Sequence, residues 1–232
     1  MDESISFYDK EHMRDILSYP ISFTLAVLLI CQPLLAFETP LSDTAVREAY
    51  FLGQRRDEKM AQVLDKYSIY LATPKSGPHI ASVTMFTPFA QTILQSRDNS
   101  SGYSAQQAAL DHAKHAESIK AVIEISFTNS YGALIPRPGG SRSDSPTGLM
   151  PRPYDFWKDF QVNFFHKEDQ LKPISSSGQP KLSCGDSGCS LIGATLEFEF
   201  LAEACPSDSI LVQVIPPEGE QVVLDYDLNS VR

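Results

Sequence analysis

The chain has 232 residues, enough for one substantial domain or two small ones, and its 42% hydrophobic and 21% charged residues are those of an ordinary globular protein. A formal net charge of -10 argues against nucleic-acid binding, which needs a basic face to displace counterions from phosphates.

Residues 21–37, ISFTLAVLLICQPLLAF, are apolar and uncharged, but Pro33 interrupts the run. A spanning helix needs roughly 20 apolar residues. The run therefore reads as the core of a secretory leader, with the cut after Leu34-Leu35-Ala36. Ahead of it, Asp2, Glu3, Asp9 and Glu11 stand against Lys10, whereas a leader starts positive; translation starting at Met13 gives the more compact leader. Cys31 follows Leu29-Ile30, without the small residue that lipidation requires. The expected chain is extracytoplasmic, periplasmic or secreted, with no span left after cleavage. The alternative is an uncut N-terminal membrane anchor.

The segment 37–78 is expected to be helical. Ser42 or Asp43 serves as an N-cap, and Val46, Ala49, Tyr50 and Leu52 form one apolar stripe. Met60, Val63, Leu64 and Tyr67 form a second stripe; Gly53 lies between them, so one bent helix or two short ones fit. Pro74 and Gly77-Pro78 end the region. Residues 79–232 then read as an antiparallel β-sandwich-like domain, making the whole α+β and mostly β. Residues 79–87 and 119–129 alternate as strands, 89–96 fit strand or helix, and 104–118 form a short alanine-rich helix capped by Ser104. Further strands are expected at 159–168 and 194–204, and two more within 209–228 around Pro216-Pro217-Glu218-Gly219.

Residues 131–154 break this pattern with a long loop rich in Pro, Gly, Ser and Arg. It holds an internal echo, Leu134-Ile135-Pro136-Arg137-Pro138 and Leu149-Met150-Pro151-Arg152-Pro153. One reading makes it a contact arm for a protein or envelope partner, with Tyr131, Arg137, Arg152 and Tyr154 touching that partner. The other makes it an ordinary loop clasped to the domain by its apolar ends.

Three motifs invite chemistry. Gly185-Asp186-Ser187-Gly188 resembles the nucleophile run of chymotrypsin-like serine proteases, and the resemblance covers those four residues. It implies a Ser187 nucleophile served by a histidine base. The family's next glycine and proline are replaced by Cys189 and Ser190, and His79, His112, His115 and His166 all lack the family's Ala-Ala-His-Cys setting. The second motif is Asp111-His112-Ala113-Lys114-His115, two histidines at i and i+3 without a metalloprotease signature. The third is Asp225, Asp227 and Asn229 on alternate positions, which alternation places on a solvent face. No metal or other cofactor is expected.

The cysteines give a simpler account of the serine loop. A straight 194–204 strand spans about 35 Å, beyond the ~7 Å Cα limit for a disulfide, so Cys189 and Cys205 cannot join. A Cys184–Cys189 disulfide across Gly-Asp-Ser-Gly fits an oxidising compartment and leaves Cys205 free and buried. The function expected from this sequence is that of an exported, non-enzymatic binding or accessory protein. The alternatives are an exported serine-type hydrolase using Ser187 and a structural component of a surface assembly.

Overall fold

The computed structural model describes residues 37–99, 101–137, 148–186, 188–205 and 208–232. The predicted leader, the loop tip 138–147 and Ser187 lie outside them. The chain divides between Leu34 and Leu35, and Leu35–Arg232 forms one unit. The helical segment 37–78 and the strands after it are parts of that same unit.

Ser42 starts helix α1 (Asp43–Arg55) by accepting the Ala45 N–H on its hydroxyl. Arg56, in the left-handed region at φ 51°, ends it, and Asp57 caps α2 (Glu58–Asp65). Of the two arrangements open to the sequence, the structure has two helices, and Gly53 is not the break. A Cβ on Gly53 would sit 2.3 Å from the Ile93 carbonyl oxygen, so glycine is there for close packing on α3 (Pro88–Asp98). The ambiguous stretch 89–96 lies in α3: Thr87 accepts the Ala90 N–H, and Pro88 fits the first turn, where its missing N–H has no partner to lose. Helix α4 (Ala105–Lys114) is capped by Ser104 as expected.

Strands β1 (Ser68–Tyr70), β2 (His79–Phe86), β3 (Ser118–Ser126), β8 (Ser175–Gly185) and β9 (Gly188–Leu201) form one antiparallel sheet in the order β1-β2-β3-β9-β8. A second antiparallel sheet runs β11-β10-β6-β7, from β6 (Gln161–His166), β7 (Asp169–Leu171), β10 (Ser209–Ile215) and β11 (Val222–Asp227). Neither sheet closes into a barrel. The sheets meet through rings on β9: Phe164 of β6 lies 4.8 Å from Phe200 and 5.2 Å from Phe198, centre to centre. Ile123, Ile125, Val212, Val214 and Leu228, all fully buried, extend this core. The helices bury Ala45, Val46, Ala49, Phe89 and Ile93 in a second core, which shares Val63 and Leu64 with the first.

Two expectations need correction. The 194–204 strand is longer at its start, beginning at Gly188, and ends at Leu201; Ala202–Ala204 form a 3-10 turn. The loop 131–154 is not without structure: its two echoed tripeptides pair as β4 (Leu134–Pro136) and β5 (Leu149–Pro151).

Candidate functional site

The β4–β5 hairpin gives the long loop a defined base. Leu134 faces Pro151, Ile135 faces Met150 and Pro136 faces Leu149. Main-chain bonds from Arg137 N–H to Gly148 and from Arg152 N–H to Ala133 extend the ladder at both ends. Alternation sends Ile135 and Met150, both half-buried, to one face and Leu134, Pro136, Leu149 and Pro151, all exposed, to the other. Leu134 and Leu149 are 55% and 59% exposed, so this face is apolar and open to solvent. Arg137 ends its β4 side, and Tyr154, 61% exposed, follows β5.

The base of the hairpin is held by a stack. The Arg152 guanidinium lies 3.7 Å from the centre of the Tyr131 ring, and its Nε–H donates to the Gly132 carbonyl at 2.9 Å. Phe127, Phe156 and Phe160 surround Tyr131 edge-on or tilted. A cation held over an aromatic face away from water is stabilising by about 1–2 kcal/mol. Burial raises the Tyr131 phenol above its ordinary range. The four residues picked out as partner contacts thus separate by place. Tyr131 is 1% exposed, so its ring has no open surface to offer, and the half-buried Arg152 holds the hairpin; Arg137 and Tyr154 face solvent.

The disulfide sits elsewhere. Cys184 and Cys189 are register partners at the far end of the β8–β9 hairpin, with their Cα atoms 4.0 Å apart and their sulfurs bonded. Strand β9 has no β3 register partner ahead of Gly193, apart from the Phe127 N–H bond to the Ile192 carbonyl. Beyond a register shift between Lys181 and Leu182, residues 182–185 and 188–191 pair with each other as a two-stranded ribbon, which Leu191 still joins to the larger core. Every described residue of that ribbon except Leu191 is exposed.

Ser187 lies outside the described residues, between Asp186 and Gly188 at this tip. Three of the described histidine rings are engaged elsewhere. His79 Nε2 bonds the Leu71 carbonyl at 2.9 Å, His112 Nε2 lies 2.9 Å from Glu117 Oε1, and His166 Nε2 lies 3.2 Å from Asp208.

His112, His115, Ala116 and Glu117 line two adjoining clefts of about 380 and 600 Å³. Glu117, placed by the turn from α4 into β3, is the hub between them. Its carboxylate accepts the Leu41 N–H at 2.5 Å and the Thr39 hydroxyl at 2.6 Å, besides facing His112. These bonds tie the segment ahead of α1 to the domain, so the carboxylate is spent on structure. Asp111 is occupied by Lys114 and Gln107, and the Lys114 hydrogen bond holds its carboxyl below the usual range. Among the described residues, no group of three or more His, Cys, Asp or Glu is placed to hold a metal ion. Asp227 accepts the Asn229 N–H and so caps the final 3-10 turn.

No protein-family model matches the chain, and no curated protein is detectably similar to it. The site has to be read from its own geometry. Sequence reasoning missed the pairing of β4 with β5, although the signal was present: two echoed tripeptides of the same apolar pattern can pair with each other. It also missed the ribbon, because the Ser-rich text of β8 carries no apolar alternation.

Proposed function

We propose that this chain is an exported, non-enzymatic binding or accessory protein whose contact arm is the segment 131–154. The observation that carries the reading is the β4–β5 hairpin, which is anchored through Arg152 on Tyr131 and yet turns Leu134, Pro136, Leu149 and Pro151 outward. A hairpin of no further use would turn its leucines inward, since each exposed leucine forgoes about 1.5–3 kcal/mol of burial. Arg137 and Tyr154 flank this face and supply a cation and an amphipathic ring, both side chains common at protein interfaces. Export is supported by the disulfide, which fits an oxidising compartment, and by the unit boundary at Leu34–Leu35 beside the expected cut. Among the described residues no helix is long and apolar enough to cross a membrane.

The test is a photo-crosslinker placed at Leu134 or Leu149 in the producing cell, with the exposed Gln179 of β8 as control. The expected outcome is a discrete adduct from the hairpin positions that Arg137→Glu abolishes. Adducts no stronger than those from Gln179 would remove the arm from consideration.

A further inference from the structure

We propose that the Cys184–Cys189 disulfide is a thiol-exchange site, open to attack by a dithiol reductant, that locks and unlocks the facing ends of β8 and β9. The inference is independent of the contact arm. Both cysteines are exposed, and a Cβ added at Gly185 or Gly188, the register pair next to them, would meet no atom within 4 Å. Among the described residues, none packs against Gly185 or Gly188, and both cysteines are open to an incoming thiolate. Exposed disulfides of this kind are the labile and regulatory ones, whereas structural ones are covered.

The surroundings isolate the couple. Cys205 is 7% exposed and follows the opposite end of β9, and burial pushes its thiol up to about 12. At neutral pH it stays protonated, and it lies a strand's length from the tip, so it does not act as a third partner in disulfide exchange. The reaction is then a closed two-electron exchange. One thiolate of the reductant attacks a cysteine sulfur; the Cys184–Cys189 bond breaks, and the other cysteine leaves as a thiolate that takes a proton from water. The reductant's second thiolate attacks the mixed disulfide and releases the remaining cysteine. The reductant ends as its own disulfide, and Cys184 and Cys189 end as thiols.

The ribbon's construction gives the reaction a consequence. The register shift between Lys181 and Leu182 separates the ribbon from the sheet, and below it β9 is fully paired with β3 from Gly193 to Leu201. Lys181, at this junction, is held by Glu124 at 3.0 Å. Reduction frees the strand ends at Cys184 and Cys189 to part, while Leu191, buried in the larger core, and the sheet from Lys181 inward keep their pairing.

The experiment treats the folded, oxidised protein with dithiothreitol in native buffer, traps thiols with iodoacetamide and maps them by peptide mass. We expect Cys184 and Cys189 to be labelled within about tenfold of their rate in denaturant, with Cys205 unlabelled. Slower labelling, or labelling in step with Cys205, means that the bond opens only with the whole fold and overturns the proposal. The Cys184→Ser/Cys189→Ser double variant supplies a second reading. It should keep its near-ultraviolet dichroism and lose no more than about 4 °C in Tm. A double variant that fails to fold makes the bond a structural staple and overturns the proposal as well.

Discussion

At the scale of single residues, the clearest constraints are close approaches. A Cβ on Gly178 of β8 would lie 2.5 Å from the ring of Trp157, which rests on that strand. Trp157 is the chain's sole tryptophan, so its emission reads this contact alone. Gly178→Ala should displace the ring, shift its emission to the red and cost about 1–2 kcal/mol by denaturant unfolding. Gly193 is tighter still: its Cβ would lie 2.0 Å from the Ile125 carbonyl oxygen, a backbone atom with no room to move. Buried ionisable groups set the alkaline limit. Burial raises the Cys205 thiol from an ordinary 9.0 to about 12, and it raises Tyr226 and Tyr67 in the same direction. In each case the folded chain holds its proton more tightly than the unfolded one. Their contribution is therefore complete below pH 9.0 and falls as pH rises from 9.0 toward 12. Urea midpoints measured from pH 8 to 11 should be flat at first and then decline. A midpoint that rises above pH 9.0 would contradict the burial of these groups.

At the scale of elements, the strands that face the core were legible and the edges were not. Leu196, Phe198 and Phe200 alternate with Glu197 and Glu199 because one side of β9 meets the second sheet, and the sequence carries that alternation plainly. Strand β8 pairs with the same β9 along its whole length, yet it is exposed on nearly every residue. Its Ser, Gly and Pro residues read as loop because no core selects its side chains. Pro180 and Lys181 are also the residues that discourage a further strand from adding to an open edge. The Leu134 and Leu149 face was hidden for another reason: an apolar pair in a three-residue strand has too short a period to separate inward from outward. Because Leu134 and Leu149 are each more than half exposed, Leu134→Glu and Leu149→Asp should each change stability by no more than about 0.5 kcal/mol. A loss of several kcal/mol in thermal unfolding would mean that the hairpin is buried in the working protein.

At the scale of the whole molecule, two cores are joined and the segment before α1 is built in. Phe37 belongs to the larger core, and Glu117 holds Thr39 and Leu41. At the C-terminal end, Tyr67 and Thr87 donate to the main-chain oxygen of Arg232, whose guanidinium lies 2.7 Å from Glu48 and over the Phe89 ring. Glu117→Ala leaves a half-buried histidine and a main-chain N–H without their acceptor, and should cost about 2 kcal/mol in chemical denaturation. The Glu117 hub was not readable, because a glutamate after a helix looks the same whether it faces water or a neighbouring segment.

If the domain is exported as proposed, it starts beside Phe37 and carries its disulfide closed. The most direct measurement is the intact mass of the protein from each fraction of the producing cell, with thiols alkylated before reduction. The account predicts an extracytoplasmic species beginning at Phe37, with Cys184 and Cys189 joined and Cys205 as its one free thiol. A full-length, fully reduced species confined to the cytoplasm would contradict it.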